Sequence, residues 1–284
     1  MRSVLKDRRA VLIGGAALVA SVVGLYACAS EPRAARAPAL GQASLKVLTY
    51  NVNYGIPGDA ATLDAVFAPK ADLVLLQETT PEWEQQIRPR STDYSAVHFK
   101  AGPGAGGMAV LSKFPIVEQE WITPPAGGWF PALRLVVRTP IGLLQVLSVH
   151  LRPQMSESGS VVSGYLTTPP VREAEIAKYT ERLDAQLPTL IAGDFNEGRR
   201  GMAIAYLERR GYKSKLQDFS RNTDTWRWRT SVGTVSAELD HVVLDDRLDA
   251  LDVRVLGKGN SDHFPVVVVV TKRDGAESDH TSGG

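Results

Sequence analysis

The sequence predicts an α+β fold in which β-sheets are covered by helices. Apolar runs that are too short for long helices recur along most of the chain, as is typical of buried strands. Helical patterns separate several of these runs, and residues 139–142 between two of them carry a hairpin signal. Because strands, helices and hairpins are mixed, the pattern favours helix-covered sheets over a purely parallel sheet.

The predicted elements follow one another in a simple order. Strands are predicted at residues 45–51, 73–77, 108–112, 133–138, 143–150, 189–192, 239–244, 253–256 and 265–271. Helices are predicted at residues 61–67, 81–87, 171–187 and 201–210. The helix at 171–187 has the clearest pattern, because its apolar side chains form one stripe: Ile176, Tyr179, Leu183 and Leu187.

Residues 1–27 have the pattern of an export signal, with a basic beginning followed by an uncharged, mostly apolar run. The run leads into Leu-Tyr-Ala-Cys at 25–28, which resembles the bacterial lipoprotein box, with Cys28 as the lipidated first residue. An uncleaved membrane anchor is the alternative, since about 18 residues lie near the lower limit for crossing a bilayer. The pair Arg8-Arg9 leaves both the Sec and the twin-arginine routes open. Each alternative places the domain outside the cytoplasm, facing the periplasm or the exterior.

The remaining chain is predicted to hold one large domain. Residues 28–43 are rich in Ala and Pro and are predicted as a flexible tether, residues 44–272 as the domain, and residues 273–284 as a disordered tail. Cys28 is the one cysteine, so no internal disulfide is expected. Without residues 1–27 the chain has a charge of about −2, which lacks the basic excess of a duplex-DNA binder.

Polar residues cluster where the predicted strands begin or end. The motifs are Asn51-Val52-Asn53, Gln77-Glu78, Val149-His150-Leu151, Gly193-Asp194-Phe195-Asn196, Leu239-Asp240-His241 and Ser261-Asp262-His263. Residues two apart in a strand share a face, so Asp194 and Asn196 are expected to point into one site while Phe195 packs behind. Carboxylate and amide oxygens from several strand ends are the ligands that Mg²⁺ prefers.

This ordered set of motifs resembles the endonuclease/exonuclease/phosphatase superfamily, which includes pancreatic-type DNase, abasic-site endonucleases, neutral sphingomyelinases and inositol polyphosphate phosphatases. The resemblance covers residues 45–271. It implies a four-layer sandwich, with two mixed β-sheets packed face to face and helices outside, and a divalent-metal-dependent phosphoesterase. Abasic-site endonucleases carry Tyr at the position of His150, so the resemblance is nearest to the other branches and argues against DNA repair.

The resemblance also implies roles for individual residues. Glu78 would be the principal metal ligand beside Asn51, with Asp194 and Asp262 as further candidate ligands of Mg²⁺, or of Mn²⁺ or Ca²⁺. Catalysis would use His150 at the scissile phosphate or the leaving oxygen, Asp194 and Asn196 to position the attacking water or the phosphate, and Asp240 to orient His263. A histidine held by a carboxylate can exchange a proton near neutral pH. Whether His263 or Asp194 is the general base stays open.

Three further residues are predicted to bind substrate. Asn53 stands where some nucleases carry Asp, and Arg172 matches an arginine of many family members, although a helix-surface position is an equal alternative. Trp226 belongs to an alternating Trp-Arg segment at 226–229 that either clamps nucleic acid or forms a strand with both Trp residues on the core face. The long Ser/Gly/Thr/Pro-rich stretch 152–170 is either a substrate loop or an ordinary surface excursion.

The predicted function is therefore a metal-dependent phosphodiesterase that acts outside the cytoplasm on nucleic acid or on a phospholipid headgroup. Its expected partners are the phosphoester substrate and, through the lipid anchor, a membrane; no protein partner is predicted. Two alternatives stay open: a phosphomonoesterase on a soluble phosphate such as an inositol phosphate, and a non-catalytic binding lipoprotein on the same scaffold.

Overall fold

Two six-stranded mixed β-sheets form the centre of the protein. The computed structural model describes residues 31–231 and 233–273. Its strands are β1 Leu45–Asn51, β2 Leu73–Gln77, β3 Ala96–Lys100, β4 Met108–Ser112, β5 Ile116–Ile122, β6 Ala132–Thr139, β7 Gly142–His150, β8 Thr189–Asp194, β9 Lys213–Ser214, β10 Trp226–Thr230, β11 Gly233–Ala237, β12 Asp240–Leu244, β13 Leu248–Val255 and β14 Val266–Lys272. Its helices are α1 Ala60–Phe67, α2 Pro81–Ile87, α3 Val161–Thr167, α4 Pro169–Thr180, α5 Met202–Glu208 and α6 Leu216–Phe219.

The two sheets have related orders. The first runs β13-β14-β1-β2-β4-β3, and the second runs β5-β6-β7-β8-β12-β9. One parallel pair lies inside each sheet, β1 with β2 and β7 with β8, and the other pairs are antiparallel. Parallel neighbours end at the same edge of a sheet, so the carboxyl ends of these four strands can meet in one place. The strands β10 and β11 form a separate hairpin.

The main core fills the space between the sheets. Its buried side chains come from both of them, including Leu75 of β2 and Val268 of β14 on one side, and Leu135 of β6 and Val146 of β7 on the other. A second cluster joins the outer face of the first sheet to α1 and α2, with Trp83 fully buried. A third cluster packs α4 and α5 on the second sheet. The result is the predicted four-layer α+β sandwich.

The structure corrects the prediction in several elements. Helix α4 ends at Thr180 and not at Leu187, because the backbone tightens into i→i+3 turns in which Leu183 bonds to Thr180 and Leu187 bonds to Asp184. It begins two residues earlier than predicted, with proline in its first turn, a position that suits the fixed φ of proline. The stretch 152–170 contains α3. Strands β3, β5, β9 and β11 and helix α6 were not predicted.

The predicted ends of the chain are only partly described. The signal segment 1–27, Cys28 and tail residues 274–284 lie outside the described residues. Within the predicted tether, the Arg36 amide donates to the Leu251 carbonyl at 2.8 Å, and its guanidinium pairs with Asp249 at 2.8 Å. That part of residues 28–43 therefore contacts the domain. Across the described stretches, the helices are all too short or too polar to span a bilayer.

Candidate active site

Strand register brings the predicted polar residues to one edge of the sandwich. In the first sheet Asn51 lies level with Gln77, so that Glu78 follows directly beside Asn51. In the second sheet His150 and Asp240 both lie level with Asp194, one on each side of it. Because a slip of one residue would turn every side chain to the opposite face, this register is what places the acids and imidazoles together.

Asn51 links the two sheets at this edge. Its fully buried amide donates from Nδ2 to Glu78 Oε1 at 2.9 Å and to Asp194 Oδ2 at 3.1 Å. Its Oδ1 accepts the backbone amide of Asn53 at 3.0 Å. Two carboxylates from different sheets are therefore held around one amide.

Asp240 and His263 form a buried pair beside Asp194. The His263 Nδ1 lies 2.8 Å from Asp240 Oδ2, and its Nε2 lies 3.5 Å from Asp194 Oδ2. Burial alone would lower the pKa of His263, but the carboxylates of Asp240 and Asp194 outweigh it and raise that pKa to about 10. The pair is supported by Thr225, whose hydroxyl accepts the Asp240 amide at 2.9 Å.

His150 approaches Asp194 from the opposite side. Its Nε2 lies 3.5 Å from Asp194 Oδ2 and 3.9 Å from Glu78 Oε1. The ring of Phe130 stacks on the imidazole, with centroids 4.1 Å apart and 20° between the planes. Burial lowers the pKa of His150 although Asp194 acts against it. The two site histidines are thus driven in opposite directions, His150 towards neutral and His263 towards charged.

Three site residues hold left-handed backbone conformations within two residues of a strand end. The φ values are +62° at Asn53, +59° at Glu78 and +51° at Asn196. This region is unfavourable for residues with a Cβ, and a glutamate there is uncommon. Such strain is maintained where the surrounding structure requires it, often at functional sites. The turn at Glu78 aims its carboxylate at Asn51 and at the Tyr54 amide, which donates to Oε2 at 3.2 Å.

Asp194 and Asn196 meet through a turn and not through strand alternation as predicted. Strand β8 ends at Asp194, and the Asn196 amide donates to Asp194 Oδ1 at 2.8 Å. The Asn196 side chain then turns to the Leu151 carbonyl, to which Nδ2 donates at 3.0 Å. Phe195 is fully buried behind them, as expected. This Asx-type turn fixes one carboxylate oxygen and leaves Oδ2 facing the two histidines.

The donor set suits a divalent cation. Glu78 and Asp194 converge on Asn51, and burial is the largest influence that raises the pKa of each carboxyl. Within residues 31–231 and 233–273, the site carboxylates pair only with histidines and not with lysine or arginine. Asp194, Asp240 and His263 also place one ligand atom each within 4.8 Å of the others. Because Asp240 already binds His263, the carboxylate oxygens of Glu78 and Asp194 fit Mg²⁺ better. Asn51 faces them with Nδ2 while its Oδ1 accepts the Asn53 amide, so its predicted role as a metal ligand would require its side-chain amide to turn over.

Asp262, Asn53 and Trp226 form one hydrogen-bonded group at the site margin. Asp262 Oδ1 accepts Asn53 Nδ2 at 2.8 Å, and Oδ2 accepts Trp226 Nε1 at 3.0 Å. Trp226 is half-buried, whereas Trp228 on the same hairpin is 59% exposed. The alternative with both tryptophans on the core face is therefore wrong. Both carboxylate oxygens of Asp262 already have partners, so its proposed role at the metal would require one of these bonds to give way.

Arg172 lies in the interior and not on a helix surface. Its side chain is 3% exposed, Nε pairs with Glu197 at 2.9 Å, and a terminal nitrogen donates to the Arg152 carbonyl at 3.1 Å. A guanidinium in this position ties α4 to the chain after β7 and does not face a substrate, so the substrate-binding prediction does not fit its position. His241 faces away from the site, as predicted, with Nε2 2.8 Å from the Glu197 carbonyl.

Two contributors to the site escaped the sequence analysis. Phe130 lies in the loop before β6, in a Gly- and Pro-rich segment without a strand or helix pattern, so no periodic signal pointed to its stack on His150. Trp83 donates from Nε1 to the Asn53 carbonyl at 3.0 Å and so supports the strained turn. Trp83 lies in the helix predicted at residues 81–87, but that pattern did not point to this bond.

Comparisons with known proteins agree on one fold. A sequence model described as the endonuclease/exonuclease/phosphatase family matches residues 48–263. A conserved protein of unknown function from Enterococcus faecalis V583 is 18% identical, with a TM-score of 0.63 over 81% of this chain and 100% of that chain. The D. rerio TDP2 structure in complex with a single-strand DNA product is 15% identical, with a TM-score of 0.63 over 81% and 100%. A Bacteroides thetaiotaomicron protein of the endonuclease/exonuclease/phosphatase family is 16% identical, with a TM-score of 0.59 over 82% and 99%. No curated protein matches the chain.

Proposed function

The chain belongs to the endonuclease/exonuclease/phosphatase family, and on that premise we propose that it is a divalent-metal-dependent phosphodiesterase. Membership supports a phosphoester hydrolase in general; the finer proposal rests on one observation. Asp194 Oδ2 lies 3.1 Å from Asn51 Nδ2 and 3.5 Å from the Nε2 atoms of both His150 and His263. A metal ligand set and a proton-exchange pair therefore share one carboxylate.

Each part of the site has a defined task in this proposal. Asp240 fixes the His263 ring through Nδ1, which leaves Nε2 directed at the space beside Asp194, where it can exchange a proton with a reacting oxygen. His150 is held by the Phe130 stack and presents Nε2 to the same space. Glu78, with one oxygen of Asp194, would hold the cation, and the Asn51 amide keeps the two carboxylates together. When bound, a divalent cation supplies charge stabilisation for the phosphate oxygens.

The charge of the site favours a diester over a monoester. A phosphate monoester carries up to two negative charges near neutral pH and is usually bound by arginine or lysine. Outside the site, the neighbouring Arg172 and Arg152 are both buried and bonded to other groups. A singly charged diester needs less positive charge from the protein, which this site can match with one cation.

Hydrolysis of bis(4-nitrophenyl) phosphate and of 4-nitrophenyl phosphate tests the proposal, each with Mg²⁺, Mn²⁺ or Ca²⁺ and with EDTA. We expect the diester to be hydrolysed faster, EDTA to stop the reaction, and Glu78→Gln and His263→Ala each to lower kcat/KM at least about 100-fold. His98→Ala, at an exposed histidine of β3, is the matched control and should leave the rate unchanged. Equal diester hydrolysis by Glu78→Gln and the unchanged protein would contradict the metal role, and faster monoester hydrolysis would favour a phosphomonoesterase.

The cellular setting is part of the same proposal. The basic and apolar residues 1–27 and Cys28 support an exported protein that is lipid-anchored to a bacterial membrane. Nucleic acid and phospholipid headgroups both remain candidate natural substrates. Labelling with a palmitate analogue, compared between the unchanged chain and Cys28→Ser, tests the anchor; labelling that persists in Cys28→Ser would contradict it.

A further inference from the structure

A cavity of about 760 Å³ opens between two loops next to the candidate site. One wall comes from Lys100, the last residue of β3, and from residues 101–106, which follow it towards β4; the other comes from residues 123–131, which connect β5 to β6. Tyr54, from the loop after β1, completes the lining. This volume is in the range that holds a small-molecule ligand or a substituent of one.

The cavity and the phosphate site share two residues. Phe130 lines the cavity and also stacks on His150 at a centroid distance of 4.1 Å. Tyr54 lines the cavity, and its backbone amide donates to Glu78 Oε2 at 3.2 Å. A group covalently attached to a phosphate beside His150 and Glu78 can therefore enter the cavity directly.

The cavity wall is mainly carbon. Alanine, proline and the aromatic residues Trp129 and Phe130 dominate it, and Lys100 is its one charged side chain. The Lys100 ammonium lies 5.2 Å from the centroid of the Trp121 ring, which gives it a partner of its own. The edges of a nucleobase need hydrogen-bond donors and acceptors, of which this wall offers few. An apolar group, in contrast, gains by leaving water here.

The aromatic wall is held in place by buried contacts. The Arg152 guanidinium lies 3.5 Å from the centroid of the Trp129 ring, and its terminal nitrogens donate to the carbonyls of Gly127 at 2.9 Å and Met155 at 3.0 Å. Arg152 itself is 3% exposed. Trp129 is therefore supported from behind, and a preformed wall reduces the ordering cost of binding.

We propose that this cavity binds an apolar substituent, alkyl or aryl, carried by one ester oxygen of the substrate. The inference rests on the proposed phosphodiesterase function for the position of the phosphate. It defines the substrate class as phosphodiesters of an apolar alcohol, and it makes Trp129 a specificity-determining residue that takes no part in proton exchange or metal binding.

The test is a series of 4-nitrophenyl phosphodiesters whose second ester group is methyl, butyl, octyl, benzyl or 5′-thymidyl. A fully buried methylene contributes about fourfold, so kcat/KM should rise at least about tenfold from methyl to butyl. Trp129→Ala should reduce this rise to below about threefold while the methyl ester keeps its rate. Ala101→Trp, which narrows the cavity from its exposed rim, should slow the octyl ester selectively. The octyl and benzyl arms distinguish alkyl from aryl substituents.

Controls separate this inference from the proposed function. Trp228→Ala, at an exposed tryptophan outside the cavity, should leave the chain-length series unchanged. If the esters are hydrolysed with the same kcat/KM at every chain length, the cavity assignment alone is overturned. The same holds if the thymidyl ester has a higher kcat/KM than the octyl ester and this advantage depends on Trp129. If no ester is hydrolysed, the phosphodiesterase proposal fails. Calorimetric binding of butyl and methyl phosphate then still tests whether the cavity binds an apolar group. Tighter binding of butyl phosphate that is lost in Trp129→Ala would then uphold the cavity, and equal binding would overturn it.

Discussion

The substitution Asp240→Asn tests whether His263 depends on its carboxylate partner. Asp240 is fully buried, and its Oδ2 lies 2.8 Å from His263 Nδ1. The amide has nearly the shape of the carboxylate, so packing should be preserved. It removes the charge, however, and it can donate to Nδ1 where the carboxylate can only accept. The Asp240 carboxylate raises the pKa of His263, so its loss should lower that pKa and leave a neutral ring without the second proton.

The structure sets the size of the expected effect. A buried hydrogen bond to a charged group contributes about 1.5–3 kcal/mol, and each 1.36 kcal/mol changes a rate about tenfold. Loss of this bond alone therefore predicts a decrease in kcat of about 10-fold to 100-fold. A neutral ring is also a poorer proton donor, and proton transfer by a positioned side chain contributes about 100-fold to 10,000-fold. We expect kcat for a 4-nitrophenyl phosphodiester to decrease at least about 100-fold.

A double-mutant cycle measures whether Asp240 acts through His263. Steady-state kinetics would be recorded for Asp240→Asn, His263→Ala and the double variant, with urea unfolding to confirm that each is folded. Because the two residues are in contact, the second substitution should lower kcat by less than about threefold in the presence of the first. Asp245→Asn is the matched control for stability. Asp245 is also a buried carboxylate, but it accepts the amide of Thr189, at the end of β8 opposite to Asp194. Independent, multiplicative losses from Asp240→Asn and His263→Ala would refute the reasoning.

Three further predictions concern stability. Burial raises the pKa of the Glu175 carboxyl from 4.5 to about 7, so the stabilisation of the fold by the protonated carboxyl is complete below pH 4.5 and is lost as pH rises through 7. Glu175→Gln should therefore be more stable than the unchanged protein by about 2–3 kcal/mol at pH 8 and equal to it near pH 4.5. A pH-independent difference in urea unfolding would contradict this. Gly193 has a φ of +148°, and a Cβ there would lie 1.9 Å from the Val149 carbonyl oxygen; Gly193→Ala should cost at least about 3 kcal/mol by thermal unfolding and lower kcat, since Asp194 follows directly. Arg172→Met should lower the free energy of unfolding by about 3–5 kcal/mol because it leaves Glu197 buried without its partner. Adding Glu197→Gln should restore part of that loss, and a double variant no more stable than Arg172→Met would contradict this.

Burial explains which strands the sequence could predict. Strands β2 and β4 are buried at every position and therefore appear as unbroken apolar runs whose bounds were predicted correctly. Strand β5 lies at a sheet edge and contains Glu118, Gln119 and Glu120, so it has no apolar run to find. Strands β3 and β9 also lie at edges. The hairpin of β10 and β11 is mostly exposed, which left two alternatives for its Trp-Arg segment.

The candidate site was predictable in its membership and not in its geometry. Glu78 and Asp194 stand out as acids directly after apolar runs, a position that strand pairing converts into proximity. The positive φ of Glu78 is invisible in the sequence, because glutamate rarely adopts it. The buried pairing of Arg172 with Glu197 joins residues 25 positions apart, and no motif in the sequence predicted it.

The division between strand ends and loops separates reaction chemistry from substrate choice. Asp194, His150 and Asp240 are held by ladder register, so moving one of them would require breaking sheet pairing. Apart from Lys100 at the end of β3, the cavity walls at residues 101–106 and 123–131 lie between strands, so their side chains can change without displacing the acids. Phe130 is the exception, since it belongs to the cavity and to the His150 stack at once. Substitution at Phe130 should therefore alter chain-length preference and kcat together, whereas substitution at Trp129 should alter the preference alone.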